Sequence, residues 1–259
     1  MGVLDRFRLD EKTAIVTGGN RGIGRAISHA LGEAGSDIVI ANRDKTSGEQ
    51  AATEIRDEIG VQARYIQTDV TNEDDIKDLA TQAVSEFESV DILVNNAGIA
   101  RISNAEDMVE MEWNDVIDTN LKGAFLCSKY IGNKMLESNG GSIVNISSIL
   151  AFRAAHPQRI ISYTASKAGL EGLKRQLASE WAEDGVRVNN INPGYIRTDL
   201  VNQVLENRPE LEDIWIDEMQ FGEIATPEAI GPLAVYLASD ASAYMTGTSI
   251  AIDGGYLVE

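Results

Sequence analysis

The sequence predicts an α/β fold: a doubly wound parallel sheet with helices on both faces, a Rossmann-type three-layer sandwich. Short apolar runs of β-branched residues recur along the chain, and helical stretches of 12 to 25 residues separate them. That alternation means βαβ units and a parallel sheet. Right-handed crossovers then wind the helices onto both faces. No linker, low-complexity tract or repeat interrupts the series, and only 5 prolines stand against 23 glycines. Length alone suggests about two domains, but α/β folds often keep roughly 250 residues in one unit. Residues 1–259 are therefore expected to form a single domain.

The first strand is Thr13 to Thr17, which ends at glycines, and a helical pattern begins at Arg21-Gly-Ile-Gly24. Asp37 to Ala41 follows, then a polar helix from about Lys45 to Ile59. Ala63 to Thr68 is the third strand, and Thr71-Asn-Glu-Asp74 opens the next helix with Thr71 expected as its N-cap. Val90 to Val94 leads into a long helical region that runs to about Leu136 and contains Asn120. Ser142 to Ile146 and Val186 to Ile191 are the fifth and sixth strands, and Tyr163 opens the helix between them. Asp199 to about Phe221, rich in Leu, Ile and Trp215, is expected to form mobile helices over a substrate. A plain hydrophobic surface helix and a subunit contact are the other readings of that segment. Ser249 to Ile252 closes the sheet.

Hydrophobic residues make up 43% and charged residues 24% of the chain, values that exclude disordered and fibrous classes. No apolar stretch reaches the roughly 18 residues of a membrane span. Met1 to Glu11 is charged at Asp5, Arg6, Arg8, Asp10 and Glu11 and does not read as a signal peptide. Cys127 is the single cysteine, and His29 and His156 are the only imidazoles, neither in a metal-ligand spacing. A soluble, metal-independent cytoplasmic protein is expected. The formal charge of −19, from 22 basic and 41 acidic residues, argues against nucleic acid or anionic membranes as partners. Eight lysines against 14 arginines give an acidic, lysine-poor surface. Adaptation to a high-salt cytoplasm is the favoured reading, an ordinary acidic enzyme the alternative.

In such a sheet, ligands lie beyond the carboxyl ends of the strands. The first end reads Thr17-Gly-Gly-Asn20-Arg21-Gly-Ile23-Gly24. Gly18, Gly22 and Gly24 let the backbone turn sharply and approach a pyrophosphate at a helix N-terminus. The spacing is G-x-x-x-G-x-G, and alone it could be only a turn. Asp69-Val70, Asn95-Asn-Ala-Gly98 and Asn192-Pro193-Gly194 follow three further strands. Turn chemistry explains any one of them, but less readily the set. At the second strand end, Asn42 stands where an acid would bond the adenosine ribose, followed by Arg43. Arg43, with Arg21, suits a 2′-phosphate, so NADP is favoured over NAD; the alternative is two solvent-facing arginines.

Tyr163 and Lys167 are four apart on a helix and share a face. A nearby ammonium favours the phenolate, so Tyr163 can exchange a proton with an alcohol or carbonyl. Ser148 ends the fifth strand 15 positions earlier and places a hydroxyl near the phenol. Asn120 in the long helix needs a partner and suits a water relay or, alternatively, a local hydrogen bond.

Together these motifs resemble the short-chain dehydrogenase/reductase family, over residues 12 to 255. The resemblance implies that Ser148 orients the substrate oxygen and that Tyr163 is the acid/base. By the same resemblance, Lys167 bonds the nicotinamide ribose and Asn120 supports a proton relay. It implies that Asp69 reads the adenine amino group and that the backbone at Asn96, Ala97, Gly98 and Ile196 contacts the cofactor. Thr198 then bonds the carboxamide or a phosphate, with Asn20, Val70, Pro193 and Gly194 among the remaining cofactor contacts. A homotetramer is likewise implied.

The 15-position gap from Ser148 to Tyr163 is about two residues longer than the family's usual spacing. That loop contains Pro157-Gln158, and with Ala243-Tyr-Met-Thr-Gly-Thr248 and Ile252-Asp-Gly-Gly-Tyr256 it is similar to members acting on polyols, ketoses and sugar acids. Mannitol/sorbose reductases and gluconate or deoxygluconate dehydrogenases are examples. Ser148, Leu150, Gln158 and Tyr163 are the expected substrate contacts, with Arg153 and His156 as further donors or as parts of a solvated loop. The expected activity is NAD(P)-dependent interconversion of a hydroxyl and a carbonyl on a small polyhydroxylated molecule. A 3-oxoacyl reductase is the alternative enzyme, although this acidic chain shows no basic patch for an acidic carrier. A non-catalytic dinucleotide-sensing regulator is the alternative from another class, and it need not keep Ser148, Tyr163 and Lys167 together.

Overall fold

The computed structural model describes residues 2–258, so Met1 and Glu259 of the expected 1–259 domain lie outside the described residues. Seven strands form one sheet: β1 (Thr13–Thr17), β2 (Asp37–Asn42), β3 (Ala63–Gln67), β4 (Ile92–Asn95), β5 (Gly141–Ile146), β6 (Val186–Pro193) and β7 (Ser249–Ile252). Nine α-helices are seen among the described residues: α1 (Gly22–Glu33), α2 (Lys45–Ile59), α3 (Glu73–Phe87), α4 (Glu110–Ile117), α5 (Gly123–Leu136), α6 (Ile161–Trp181), α7 (Asp199–Asn207), α8 (Glu210–Glu218) and α9 (Gly231–Ala238). The strands lie in the order β3-β2-β1-β4-β5-β6-β7, all parallel. Chain direction across the sheet reverses between β1 and β4, the switch point where open α/β sheets leave a crevice.

Alternation along the strands fills both faces. Ala14 and Val16 of β1 pack with Ile27 and Leu31 of α1, Ile55 of α2 and Leu237 of α9. Ile15, between them, packs on the other side with Leu79 of α3, Ile131 of α5 and Leu177 of α6. Both faces are thus covered, which is why the strands read as unbroken apolar runs. A third cluster joins Leu150, Tyr195, Leu205, Leu211, Trp215, Met219 and Tyr256 beneath α7 and α8. The segment expected over the substrate is therefore two helices with a buried apolar underside.

One row inside the sheet is polar. Asn95, Asn145 and Asn190 are register partners on β4, β5 and β6. Asn95 Nδ2 donates to Asn145 Oδ1, and Asn145 Nδ2 donates to Asn190 Oδ1, each at 2.9 Å. Asn95 also donates to Ser128 Oγ, and Asn190 donates to the Leu170 carbonyl.

Two sequence expectations need correction. The cap of α3 is Asn72, whose Oδ1 accepts from Asp74 N at 2.9 Å. Thr71 belongs instead to the preceding turn, where its N–H and hydroxyl both donate to Asp69 Oδ1. The long helix also changes type partway: α4 and α5 are joined without a break through a π-helical turn over Asp118–Lys122, with Asn120 buried inside it. Asn120 Oδ1 accepts from Ile99 N at 2.8 Å, and its Nδ2 donates to the Ile99 carbonyl at 2.9 Å. Its side chain is thus tied to the loop after β4, at the point where the helix widens; such single π-turns are frequent at functional sites.

Candidate active site

At the carboxyl end of β1 the glycine loop is held by the neighbouring strand end. Asn96 Nδ2 donates to the carbonyls of Thr17 and Gly18, at 2.9 and 3.1 Å. The Thr17 hydroxyl in turn accepts from the N–H groups of Asn96 and Ala97. Asn96 is therefore more than a turn residue, because its side chain clamps the loop. Gly18 and Gly22 have φ of +63° and +51°, in the left-handed region that favours glycine. A Cβ on Gly24 would lie 2.2 Å from the Gly18 carbonyl oxygen and 2.4 Å from Asn96 Nδ2, so no larger residue fits.

The loop runs into α1 with Arg21 at the N-cap in extended conformation and no side-chain cap. No side chain therefore caps the first N–H groups of this twelve-residue helix, as suits an anion site. Thr198, from the exit of β6, lies with its methyl 3.2 Å from the position a Gly22 Cβ would take. Its hydroxyl accepts from Val201 N and caps α7. Ile196 is buried in a bridge to Ala225, and Gly194 packs so closely on Asp253 that a Cβ would lie 2.8 Å from its Cα. Gly98 leaves its Cβ position 3.4 Å from Asn120 Oδ1, and Pro193 ends β6.

At the ends of β2 and β3, Asn42 is buried, with Nδ2 donating to the Asp44 carbonyl at 2.6 Å and Oδ1 lacking a partner. Arg43 is 73% exposed and reaches to 3.9 Å from Asp69 Oδ2. Asn20 donates to Ser47 Oγ at 2.9 Å and thereby ties the glycine loop to α2, while Arg21 is exposed beside it. Val70 is buried against Gly123. The strand-end residues singled out from sequence thus gather at one edge of the sheet around an uncapped helix and a glycine cradle, a combination that fits a dinucleotide.

The residues expected to exchange a proton with the substrate come together near the end of β5. Ser148 is 6% exposed and its Oγ accepts from Leu150 N at 3.1 Å. Lys167 is buried and donates to the Ile146 carbonyl at 2.6 Å, with Nζ 5.4 Å from the centre of the Tyr163 ring. Burial pulls the Lys167 ammonium down to about 8. Burial pushes the Tyr163 phenol up, and a hydrogen bond with Ser148 opposes that rise. Asn120 Nδ2 donates to Ser166 Oγ at 3.1 Å, and Ser166 Oγ donates to the Tyr163 carbonyl at 2.7 Å. Ser166, which links Asn120 to α6, was visible in sequence only as a filler of the Y-x-x-x-K motif.

Gln158 Oε1 accepts from the Tyr195 hydroxyl at 2.9 Å, and Leu150 belongs to the third apolar cluster. Tyr195 stacks on Trp215 with ring centres 4.0 Å apart and meets Tyr256 edge-on at 5.6 Å. These aromatics, missed as a group from sequence, form the wall behind Gln158. Arg153 donates to the Tyr256 carbonyl at 3.0 Å, lies over that ring and sits 3.7 Å from Glu218. It thus braces the C-terminal segment and α8, and is not a spare donor for the pocket. His156 is exposed.

A family model described as enoyl-(acyl carrier protein) reductase matches residues 18–257. The chain is 39% identical over 255 residues to galactitol 2-dehydrogenase (L-tagatose-forming) of Cereibacter sphaeroides, covering 97% of each chain. It is 38% identical over 248 residues to a 3-oxoacyl-(acyl-carrier-protein) reductase of Chlamydia muridarum, covering 95% of this chain and 98% of that one. The crystal structure of a gluconate 5-dehydrogenase from Burkholderia cenocepacia, in complex with NADP and tartrate, is similar with a TM-score of 0.94. That likeness covers 100% of both chains at 31% identity.

Proposed function

We propose, from the premise that the chain belongs to the short-chain dehydrogenase/reductase family, that it is an NAD(P)-dependent oxidoreductase of small polyhydroxylated molecules: polyols, ketoses or sugar acids. The observation that carries the reading is the convergence of Ser148, Tyr163 and Lys167 at one strand end, beside a glycine cradle and an uncapped helix. A nicotinamide dinucleotide, when bound, supplies the hydride acceptor or donor. Gly18 to Gly24 and the first turn of α1 hold its pyrophosphate, Asp69 meets the adenine, and Lys167 meets the ribose. Arg43 and Arg21 favour a 2′-phosphate, so NADP is preferred over NAD. Ser148 orients the substrate oxygen, and Tyr163 takes the alcohol proton or returns it to the carbonyl. Asn120, within its π-turn, supports the path by which that proton reaches solvent.

The substrate class rests on the loop from Ser148 to Tyr163 and on similarity to a galactitol and a gluconate dehydrogenase. Gln158, with one end of its amide on Tyr195, presents the other toward hydroxyls. Panels of polyols and sugar acids with each cofactor, followed at the reduced nicotinamide band, test this. Tyr163→Phe should abolish turnover and leave cofactor binding within about twofold, since it removes only the exchangeable proton. Near wild-type kcat in that variant would remove Tyr163 from the chemistry.

A 3-oxoacyl reductase is the second reading, favoured by the description of the family model and by similarity to the Chlamydia muridarum reductase. A net charge of −19 opposes docking of an acidic carrier, so acetoacetyl thioesters should turn over far more slowly than a hexitol or hexonate. We further propose a cytoplasmic homotetramer. Met111, Trp113 and Phe125 are exposed on α4 and α5 and suit subunit contact, which light scattering tests directly.

A further inference from the structure

Behind Ser148 lies a buried charged pair that none of the roles above uses. Glu171 and Lys174, both on α6, have side chains 7% and 5% exposed, and Glu171 Oε2 accepts from Lys174 Nζ at 3.1 Å. The same oxygen accepts from the Ser249 hydroxyl of β7. Glu171 Oε1 accepts from Asn192 Nδ2 at 2.8 Å, and that amide nitrogen also donates to the Ser148 carbonyl at 3.0 Å. Both partners are acceptors, so only one orientation of the Asn192 amide is possible. Asn192 Oδ1 is left buried without a partner, so this arrangement gives up an acceptor to keep both donor contacts.

We infer that Glu171 and Asn192 are positioning residues for Ser148. The carboxylate orients the amide, and the amide holds the backbone from which the seryl hydroxyl addresses Tyr163. Glu171 lies about two helical turns beyond Tyr163, so one helix carries both the phenol and the far end of the brace. Lys167 and Ser147 add two bonds between the strand end and α6, through the Ile146 carbonyl and the Lys167 carbonyl. The Asn192 bond reaches the Ser148 carbonyl, which accepts as well from Ala151 N at 3.0 Å within its own turn. Burial pushes Glu171 up, but hydrogen bonds from Asn192, Ser249, Asn190 and Lys174 outweigh it and hold the group at about 2. The brace therefore stays ionised across the neutral range. Lys174 supplies its counter-charge, so removing Lys174 alone would leave a buried charge unpaired. Hydrogen bonding with Ser148 lowers the phenol's pKa, so loosening Ser148 should shift the pH dependence of the proton step upward.

This inference rests on the proposed roles of Ser148 and Tyr163, and the test separates the two. Two double variants remove both buried charges together: Glu171→Gln with Lys174→Met keeps an oxygen for Asn192, and Glu171→Leu with Lys174→Met does not. The Gln variant should keep kcat within about threefold and an unmoved pH limb. The Leu variant should lose at least about tenfold in kcat with KM nearly unchanged, and its limb should move to higher pH. Amide hydrogens of 147–152 should exchange faster in the Leu variant alone, a readout that needs no turnover. Equal kcat, pH limb and exchange in the two folded variants would overturn the brace. If the wild type turns over nothing in the substrate panel, the functional reading fails, and the exchange comparison alone decides the positioning role. Should the doubles not fold, Asn192→Ala takes the place of the Leu variant with the same readouts, and wild-type values in all three would overturn the inference.

Discussion

Lys167 is a residue whose placement costs stability. Burial pulls it from the 10.5 of a free lysine to about 8. Below pH 8 the folded and unfolded states are both charged, and the folded state bears the full desolvation penalty, on the order of 3 kcal/mol. The penalty fades as pH rises from 8 toward 10.5, so stability should increase across that window. Lys167→Met should therefore raise the thermal midpoint by a few degrees at pH 7, after subtracting about 1 kcal/mol for the lost bond to Ile146, while abolishing turnover. A lower midpoint would mean the ammonium stabilises the fold. Arg43→Asp sets a carboxylate where Arg43 now approaches Asp69. A charge-assisted pair contributes about 1.5–3 kcal/mol, so NADP affinity should fall roughly ten- to a hundredfold with NAD little changed. Equal loss for both cofactors in a binding titration would separate Arg43 from the 2′-phosphate. Tyr163, Lys167 and Ser148 were legible in sequence because a helix fixes i to i+4 and a strand end fixes its last hydroxyl. The bracing role of Arg153 was not legible, either as a substrate donor or as part of a solvated loop, because its partners Tyr256 and Glu218 are far away along the chain.

Among the elements, the strands and most helices were legible because their periods differ and both sheet faces are buried. What failed was local competition for polar groups. Thr71 and Asn72 both suit a helix start, and only the turn at Asp69 decides between them. Asn72→Ala should cost about 1 kcal/mol as a lost cap, measured by denaturant midpoint. Thr71→Ala should leave α3 intact and act instead on the Asp69 turn, visible as weaker cofactor binding. Reversal of the two effects would restore Thr71 as the cap. The π-turn at Asp118–Lys122 was not legible, since its neighbours have ordinary helical composition and the bonds that Asn120 makes from it go to Ile99, 21 residues away.

At the scale of the molecule, a net charge of −19 is left after pairing, and pairs such as Lys45–Glu49 and Arg64–Glu86 lie at the surface. Exposed pairs contribute little, so screening them costs little, whereas screening self-repulsion helps. Between 0.1 and 1 M salt the Debye length falls from about 10 to about 3 Å. Thermal midpoint and activity should both rise over that range, and a midpoint unaffected by salt would mark an ordinary acidic enzyme. The asparagine row across β4, β5 and β6 bears on how the chain finds its shape. Its partners are 50 and 45 residues apart, brought together only when the central strands meet. Sliding one strand by a single residue would turn its amide to the opposite face and strand the neighbours, at about 1–3 kcal/mol for each orphaned group. The row therefore acts as a vernier during refolding, rejecting misaligned pairings that an all-aliphatic sheet centre would tolerate.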